Sequence, residues 1–188
     1  MVKNKAVILT APSGSGKTTV GRELRLLFPA LRFSTSATTR APRPGEIDGK
    51  DYFFLTPEAF EAHVAAGDFV EWEEVYPGLR YGTLRTEVER IVAEKGVPLF
   101  DVDVRGAKRL SAEFDALAIF ILPPSKEELE KRLRARGQNT PQDLAKRLAK
   151  ADLELQELEF FSVRVVNDDL KRAMEEIAPK VARFIGQS

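Results

Sequence analysis

Residues 11–18 read APSGSGKT, and they stand between an apolar run at residues 6–9 and an amphipathic helical pattern. A glycine-rich turn that joins a strand to a helix in this way is the context of a phosphate-binding P-loop. Gly14 and Gly16 allow positive φ, so that successive backbone N–H groups converge on phosphate oxygens, and the helix N-terminus adds partial positive charge. The alternative is a chance Gly- and Ser-rich turn, which explains neither the Lys-Thr pair nor the flanking strand and helix.

The P-loop pattern gives a chemical role to two of its side chains. Lys17 is expected to reach the β- and γ-phosphates of a bound nucleotide, and the Thr18 hydroxyl is expected to bind magnesium. The strict pattern begins with glycine, where this chain has Ala11. Alanine is also small, so the pattern still predicts a nucleotide-phosphate site.

Four short apolar runs are mostly continuous rather than alternating, which is typical of strands in a parallel sheet covered on both faces. They lie at residues 6–9, 97–100, 117–122 and 163–166. Helical patterns with one apolar face lie between or after them. Strands that alternate with helices predict an α/β fold, in which helices flank a parallel sheet and the crossovers are right-handed.

Residues 34–82 interrupt this alternation. They hold five of the 12 glycines and all three tyrosines. Short β segments flank a helix that Thr56 caps, with Pro57 at its first position. This composition predicts a small β-rich insertion, and we expect a substrate to be recognised there.

Composition excludes several classes of function. The 188 residues suit one domain with a small insertion, and 43% hydrophobic residues can fill a core. The 29 basic and 29 acidic side chains cancel, so we expect no nucleic-acid partner and no membrane partner. The chain has no cysteine, which excludes disulfides and thiolate chemistry. No apolar run approaches the ~20 residues of a membrane span, and the N-terminus lacks a signal-peptide pattern, so we expect a cytoplasmic protein.

Charged residues outside the P-loop indicate two further parts of a phosphoryl-transfer site. Asp101 and Asp103 close the second apolar run, where a carboxylate beside a P-loop would bind magnesium, although aspartate at a strand end also caps helices. Arg132, Arg136 and Arg147 lie on two consecutive helical patterns. Alone they would be a solvated helix face, but beside a P-loop the transferred phosphoryl group needs cations around it.

The insertion carries its own set of polar residues. Arg40 and Arg43 stand on a proline-stiffened loop that precedes Tyr52. Two arginines and a tyrosine hydroxyl can hold a phosphate monoester, and a buried glutamate such as Glu71 can accept hydrogen bonds from an amide-like edge. The alternative is a surface loop around an aromatic core.

In their order and spacing these motifs closely resemble the guanylate kinase family over nearly the whole chain. The resemblance is carried by residues 11–18, 36–52, 100–106 and 166–168, and the Ser-x-x-x-Arg-x-x-Arg pattern of the second segment is far more specific than a P-loop. It implies that ATP, with Mg²⁺, gives its γ-phosphate to GMP or dGMP. The products are GDP and ADP, in purine nucleotide metabolism.

The same resemblance implies the division of the chain. Residues 1–33 and 84–188 would form a P-loop kinase core, with a helical lid at about residues 125–150 within it. Residues 34–83 would form the GMP-binding insertion. The substrates would be ATP and GMP, and the sequence carries no prediction of the oligomeric state.

The resemblance also implies roles for individual side chains. The implied GMP-binding residues are Ser36, Arg40, Arg43, Tyr52, Glu71, Tyr81, Thr83, Asp101 and Asp103. The implied ATP-binding residues are Ser13, Gly14, Ser15, Gly16, Lys17, Thr18, Thr19, Arg132, Asn167 and Asp168. The implied catalytic residues are Lys17, Arg43, Arg136 and Arg147, and Mg²⁺ would be held by Thr18 and Asp101, directly or through water.

Two other classes of protein share parts of this pattern. A ribose 1,5-bisphosphate phosphokinase would keep the P-loop but has less reason to combine Ser36, Glu71 and Thr83. A non-catalytic guanylate-kinase-like binding module typically loses the P-loop lysine, which is present here as Lys17. Apart from Ala11, the chain departs from the family pattern at Arg105, where glutamine is usual, and at residues 76–80, a stretch that is one residue longer.

Overall fold

The computed structural model describes residues 3–135 and 140–186. The strands are β1 (Lys5–Thr10), β2 (Leu31–Phe33), β3 (Ala37–Thr38), β4 (Phe53–Phe54), β5 (Phe69–Tyr76), β6 (Leu79–Leu84), β7 (Val97–Asp101), β8 (Asp115–Leu122) and β9 (Val163–Val166). The helices are α1 (Lys17–Leu27), α2 (Pro57–Ala66), α3 (Arg85–Ala93), α4 (Val104–Glu113), α5 (Lys126–Ala135), α6 (Pro141–Leu155) and α7 (Leu170–Ile185). Within these ranges no helix is both long and apolar enough to cross a membrane.

The strand that precedes the P-loop lies at the centre of a five-stranded sheet with the order β2-β7-β1-β8-β9. Every pairing in this sheet is parallel, so the carboxyl ends of all five strands meet at one edge. The P-loop follows β1 at that edge, and Asp101 ends the neighbouring strand β7. The predicted α/β fold with a parallel sheet is therefore confirmed.

Alternate residues of β1 are buried on opposite faces of the sheet. Val7 and Leu9 pack in an apolar cluster with residues of α1 and α7. Ala6 and Ile8 pack in a second cluster with residues of α3 and α4. Because both faces are covered, both sets of side chains must be apolar, which is why the run is continuous.

A second, four-stranded sheet with the order β4-β3-β6-β5 forms between β2 and α3. Its core is aromatic: the rings of Phe60 and Phe69 stack with centroids 4.5 Å apart, and Trp72 meets Phe60 edge-on at 6.3 Å. Helix α2 begins as expected, because the Thr56 hydroxyl accepts a hydrogen bond from the Ala59 amide and Pro57 occupies the first turn.

A buried carboxylate joins the two places where the chain crosses between the sheets. Glu87, in the first turn of α3, accepts a hydrogen bond of 3.2 Å from the backbone N–H of Thr35, which follows β2. Its oxygens also accept hydrogen bonds from the Arg90 guanidinium, at 2.9 and 3.0 Å. The start and the end of the four-stranded segment are thus held to each other.

Helices α5 and α6 pack on each other through Leu129, Leu133, Leu144 and Ala151. The α6 N-terminus is closed by a capping box, in which the Thr140 hydroxyl accepts from the Asp143 amide and the Asp143 carboxylate accepts from the Thr140 amide. This fixes the direction in which α6 runs back towards the P-loop edge of the sheet.

Candidate active site

A cleft of about 640 Å³ opens between the P-loop, the four-stranded sheet and helix α6. The predicted site residues that line it are Ser13, Gly14, Gly16, Lys17, Thr18, Ser36, Arg40, Arg43, Tyr52, Glu71, Tyr81, Asp101, Asp103 and Arg147. They come from positions up to 134 residues apart in sequence. The fold therefore brings the P-loop and the polar residues of the insertion together in one cleft.

The P-loop backbone takes the conformation that its glycines permit. Gly14 has a φ of +101° and Gly16 a φ of +90°, and a residue with a side chain would be strained in either position. The amide of Asn167 donates a 2.8 Å hydrogen bond to the Ser15 carbonyl and supports the loop from within the protein. A Cβ on Gly16 would lie 2.2 Å from the Asn167 Nδ2 atom, so this position needs glycine for two reasons.

We expect Gly16→Ala to lower the melting temperature at least twice as much as Gly67→Ala. Gly67 also has positive φ, at +74°, but a Cβ there would meet no described atom within 4 Å. The control therefore carries only the backbone strain, whereas Gly16→Ala also displaces Asn167 from the loop. Thermal unfolding of both variants measures the difference, and equal losses would show that the Asn167 contact is unimportant.

Lys17 faces the carboxylate at the end of the neighbouring strand. Its ammonium forms an ion pair with Asp101 and donates a 3.2 Å hydrogen bond to the Val102 carbonyl. Leu9, just before the P-loop, is the β1 partner of Asp101 in the sheet. The parallel register thus places a cation and an anion at the point where phosphates would meet the loop.

The donors near Lys17 fit a magnesium ion that is shared with phosphates. Thr18 offers a hydroxyl oxygen and Asp101 offers carboxylate oxygens, and Mg²⁺ prefers oxygen ligands. Residues 3–135 and 140–186 contain no group of three or more His, Cys, Asp or Glu side chains that could hold a metal ion. Because Mg²⁺ is usually held by one or two protein groups together with phosphates and waters, this small donor set suits it.

Two arginines and two tyrosines form the wall of the cleft on the side of the insertion. Glu46 organises the arginines: its carboxylate accepts from the Arg40 guanidinium at 2.9 and 2.8 Å and from the Arg43 backbone N–H at 2.7 Å. This contact raises the pKa of Arg40. The Arg40 guanidinium also stacks over the Tyr52 ring, 5.2 Å from its centroid.

The two tyrosines of this wall contact each other. The Tyr52 and Tyr81 rings meet edge-on with centroids 5.9 Å apart. Burial raises the pKa of Tyr52 to about 12, helped by the negative charge of Asp101, so its hydroxyl keeps its proton at neutral pH. Two permanent cations and a phenolic donor on one wall can hold a dianion such as a phosphate monoester.

Glu71 presents a buried carboxylate to the cleft. The Thr83 hydroxyl, opposite Glu71 on the neighbouring strand, donates a 2.6 Å hydrogen bond to Glu71 Oε1. Gly106 lies so close that a Cβ there would be 3.0 Å from Glu71 Oε2. Burial raises the pKa of Glu71 to about 7, the bond from Thr83 opposes this shift, and the nearby charge of Asp103 adds to it.

Asp103 has a defined partner for each oxygen. Oδ1 accepts from the Gly106 N–H at 3.0 Å and caps α4, and Oδ2 accepts from the Lys150 ammonium at 3.2 Å. Burial opposes ionisation of Asp103, but the charge of Lys150 and the Gly106 amide outweigh it and lower its pKa. The carboxylate is therefore ionised and fixed in orientation.

The sequence prediction missed three charged residues that line the cleft, Glu73, Lys150 and Glu154. Lys150 and Glu154 follow Arg147 on α6 at spacings of three and seven, which place all three on one helix face, and this spacing could have revealed them. The sequence prediction also gave no role to Glu46, although it follows Arg40 by six residues on the same loop.

Several predicted residues are placed outside the lining of the cleft. These are Ser15, Thr19, Thr83, Arg132, Asn167 and Asp168. Arg132 donates to Glu128 at 3.0 Å and to the Asn167 carbonyl at 3.3 Å, and Asp168 forms a 2.8 Å ion pair with Arg172. Arg136 lies outside the described residues, so the predicted catalytic arginines placed in the cleft are Arg43 and Arg147.

Comparison with known proteins gives consistent matches. The family model described as guanylate kinase matches residues 3–184. A guanylate kinase of Salinibacter ruber is 47% identical over 98% of this chain and 99% of its own length, and one of Porphyromonas gingivalis is 47% identical over 97% and 99%. In the crystal structure of guanylate kinase from Anaplasma phagocytophilum, the match has a TM-score of 0.76 at 30% identity and covers 97% of this chain and 87% of that one.

Proposed function

The chain belongs to the guanylate kinase family and is an ATP:GMP phosphotransferase that uses Mg²⁺, and we propose that the cleft described above is its active site. One observation carries this proposal: a P-loop lysine and a buried carboxylate with donor arginines line the same cleft. The first suits a nucleoside triphosphate and the second suits a guanine nucleotide. The residue roles below are part of the proposal.

The phosphate of GMP is bound by Arg40, Arg43, Tyr52 and Tyr81. The Arg40 guanidinium is fixed by Glu46, so it loses little side-chain entropy when it binds. The Tyr52 hydroxyl donates because its pKa is raised to about 12. Charge-assisted hydrogen bonds from such groups are the strong ones, and they fix the acceptor oxygen in place.

The guanine base is recognised by Glu71 together with Ser36. Guanine offers two adjacent donors, N1–H and N2–H₂, and an ionised carboxylate accepts both. Ser36 also lines the cleft, and its hydroxyl is proposed to donate to O6. Thr83 orients the Glu71 carboxylate through its 2.6 Å hydrogen bond. Asp103 provides a second carboxylate, which accepts hydrogen bonds from the nucleoside.

The donor phosphates of ATP are held by the backbone N–H groups of residues 13–19 and by Lys17. They compete with Asp101 for the Lys17 ammonium. Thr18 and Asp101 would hold Mg²⁺, which would neutralise negative charge on the β- and γ-phosphates. The ATP side of the site, next to the P-loop, is completed by Arg132, Asn167 and Asp168. Asn167 supports the loop through its hydrogen bond to the Ser15 carbonyl.

In the transfer step, an oxygen of the GMP phosphate attacks the γ-phosphorus while the bond to the β–γ bridging oxygen breaks, which yields GDP and ADP. The attacking oxygen is already deprotonated, so the chain needs no general base. Lys17, Arg43 and Arg147 provide positive charge around the transferred group, and Arg136 is proposed to join them.

We also propose the domain roles that the sequence implied. Residues 1–33 and 84–188 bind ATP, residues 34–83 bind GMP, and about residues 125–150, which include α5 and most of α6, act as the lid. The cytoplasm is the proposed compartment, and ATP and GMP rather than nucleic acid or a membrane are the proposed partners. The balanced charge and the lack of cysteine support this proposal.

A panel of acceptors tests the proposed site. ADP release is measured with ATP and Mg²⁺ and, in turn, GMP, dGMP, AMP, CMP, UMP and ribose 1,5-bisphosphate. We expect the highest kcat/KM with a guanine nucleotide, and dGMP shows whether the 2′-hydroxyl is read. A higher kcat/KM for ribose 1,5-bisphosphate than for GMP would contradict the assignment of Glu71 and Ser36 to a base.

We expect GMP binding at pH 7 to release about half a proton from Glu71. Its pKa is raised to about 7, so about half of the molecules carry the proton, and the guanine donors need the ionised form. GMP binding therefore lowers this pKa, and affinity rises as the pH increases from 6 to 8. Calorimetric titration in two buffers of different ionisation enthalpy measures the proton.

The GMP phosphate, with a second pKa near 6, adds only about a tenth of a proton at pH 7. Glu71→Gln is the matched control, because it keeps the phosphate contribution and removes the carboxyl one. Equal proton release by the two proteins would contradict the role of Glu71.

A further inference from the structure

Helix α6 places the ammonium group of Lys150 in the cleft, beside the carboxylate of Asp103. Lys150 Nζ lies 3.2 Å from Asp103 Oδ2 and 3.7 Å from Glu154 Oε1, and it stands over the Tyr76 ring at 5.9 Å from the centroid. The side chain is 28% exposed, so most of it is shielded from water. An ion pair that is shielded in this way is screened by salt less than an exposed one.

The three carboxylates around this side of the cleft interact with one another. The negative charge of Asp103 contributes to the raised pKa of both Glu71 and Glu154, for which burial is the main cause. Each of these groups lines the cleft. Lys150 is paired with two of these carboxylates, Asp103 and Glu154.

Lys17 is also close enough to influence Asp103 and Glu154, but the proposed reaction commits its ammonium to the donor phosphates. The cation that remains bonded to Asp103 during that step is Lys150. It reaches Asp103 across 47 residues of sequence, from a helix that also carries Arg147.

We propose that Lys150 is a positioning residue for the acceptor nucleotide, which holds the Asp103 carboxylate in place and ties helix α6 to the GMP side of the cleft. Asp103 Oδ1 is fixed by the Gly106 amide and Oδ2 by Lys150, so the remaining lone pairs point in a set direction. The donor groups of the nucleoside then meet an acceptor that is already oriented. This inference rests on the proposed role of Asp103 in binding GMP.

A positioning role for the acceptor makes a specific kinetic prediction. In Lys150→Met, which keeps most of the length of the side chain without its charge, we expect the KM for GMP to rise about 10-fold, the scale of one charge-assisted hydrogen bond. The KM for ATP stays within twofold and kcat within threefold. Lys150→Arg, which can still donate to Asp103, keeps the KM for GMP within threefold of the original protein.

Lys146→Met is the matched control. It removes a lysine one turn earlier on α6, at an exposed position, and we expect no change in the KM for either substrate. Thermal unfolding of each variant shows whether it is folded at the assay temperature. If Lys150→Met is not, Lys150→Gln takes its place, with the same expected rise in the KM for GMP.

A double-mutant cycle with Asp103→Asn tests the route of the effect. If Lys150 acts through Asp103, Lys150→Met adds less than a twofold rise in the KM for GMP when Asp103 is already asparagine. An unchanged KM for GMP, a fall in kcat without a change in KM, an equal effect of Lys146→Met, or full additivity would each overturn the inference. GMP-dependent ADP release by the unsubstituted protein is measured first, so that a failure of the proposed active site is distinguished from a failure of the role of Lys150.

Discussion

Lys17→Ala is expected to lower kcat by at least about 100-fold while the fold remains intact. The scale is that of the loss of one charge donor from a transition state of phosphoryl transfer. The structure adds a second reason, because Lys17 is paired with Asp101. Without the ammonium, the Asp101 carboxylate faces the incoming phosphates uncompensated and repels them.

Steady-state ADP release with saturating ATP and GMP measures this effect, and far-UV circular dichroism with thermal unfolding checks the fold. Lys108→Ala is a suitable control, because Lys108 pairs with Glu157 outside the cleft. A kcat for Lys17→Ala close to that of the control would refute the assignment of the P-loop as the donor site.

The second large effect is expected from Glu71→Gln, which should sharply lower kcat/KM for GMP and narrow the ratio of the values for GMP and AMP. Adenine presents an unprotonated N1 where guanine has a donor, and it has no 2-amino group. With adenine bound, the buried carboxylate would be left unmatched, and such a mismatch costs up to ~10⁴-fold in discrimination. A glutamine amide can donate to N1 of adenine, so the penalty is relieved.

The KM for ATP should barely change in Glu71→Gln, since Glu71 lies on the insertion side of the cleft. Glu73→Gln, two residues along the same strand, is the matched control: Glu73 also lines the cleft, but it is paired with Arg105 at 2.8 Å and Arg109 at 3.4 Å. If the GMP to AMP ratio of Glu71→Gln equals that of Glu73→Gln, Glu71 does not read the base.

The parallel sheet was predictable because its signal is local. Three of its five strands, β1, β7 and β8, contain runs of four or more apolar residues, and burial on both faces forces that pattern. Strand β9 includes Arg164 and alternates between buried and exposed residues. Strand β2 has only three residues and includes Arg32, so periodicity could not separate it from a loop. Strand β3, of two residues, is likewise set by pairing with distant segments, whereas β4 lies in a β segment that the sequence predicts before the Thr56-capped helix.

The residues of the candidate site also divide into those with a local sequence signal and those without one. Contiguous motifs predicted the P-loop and the two arginines of the insertion, but not Lys150, whose role depends on Asp103 47 residues away. The sequence also could not show how Asn167 is oriented. The structure turns its amide to the Ser15 carbonyl, a backbone contact that leaves no pattern in side-chain spacing.

The contact between Glu87 and Thr35 bears on which parts of this enzyme's sequence can be exchanged. Because Glu87 joins both crossings between the two sheets, the residues between them form a cassette whose two ends lie side by side. A cassette with a different acceptor pocket would leave the five-stranded sheet and its phosphate loop unaltered. The core adds to the acceptor side mainly through the turn that carries Asp101, Asp103 and Gly106. With the proposed residue roles, acceptor recognition and phosphoryl transfer depend on largely separate stretches of the chain.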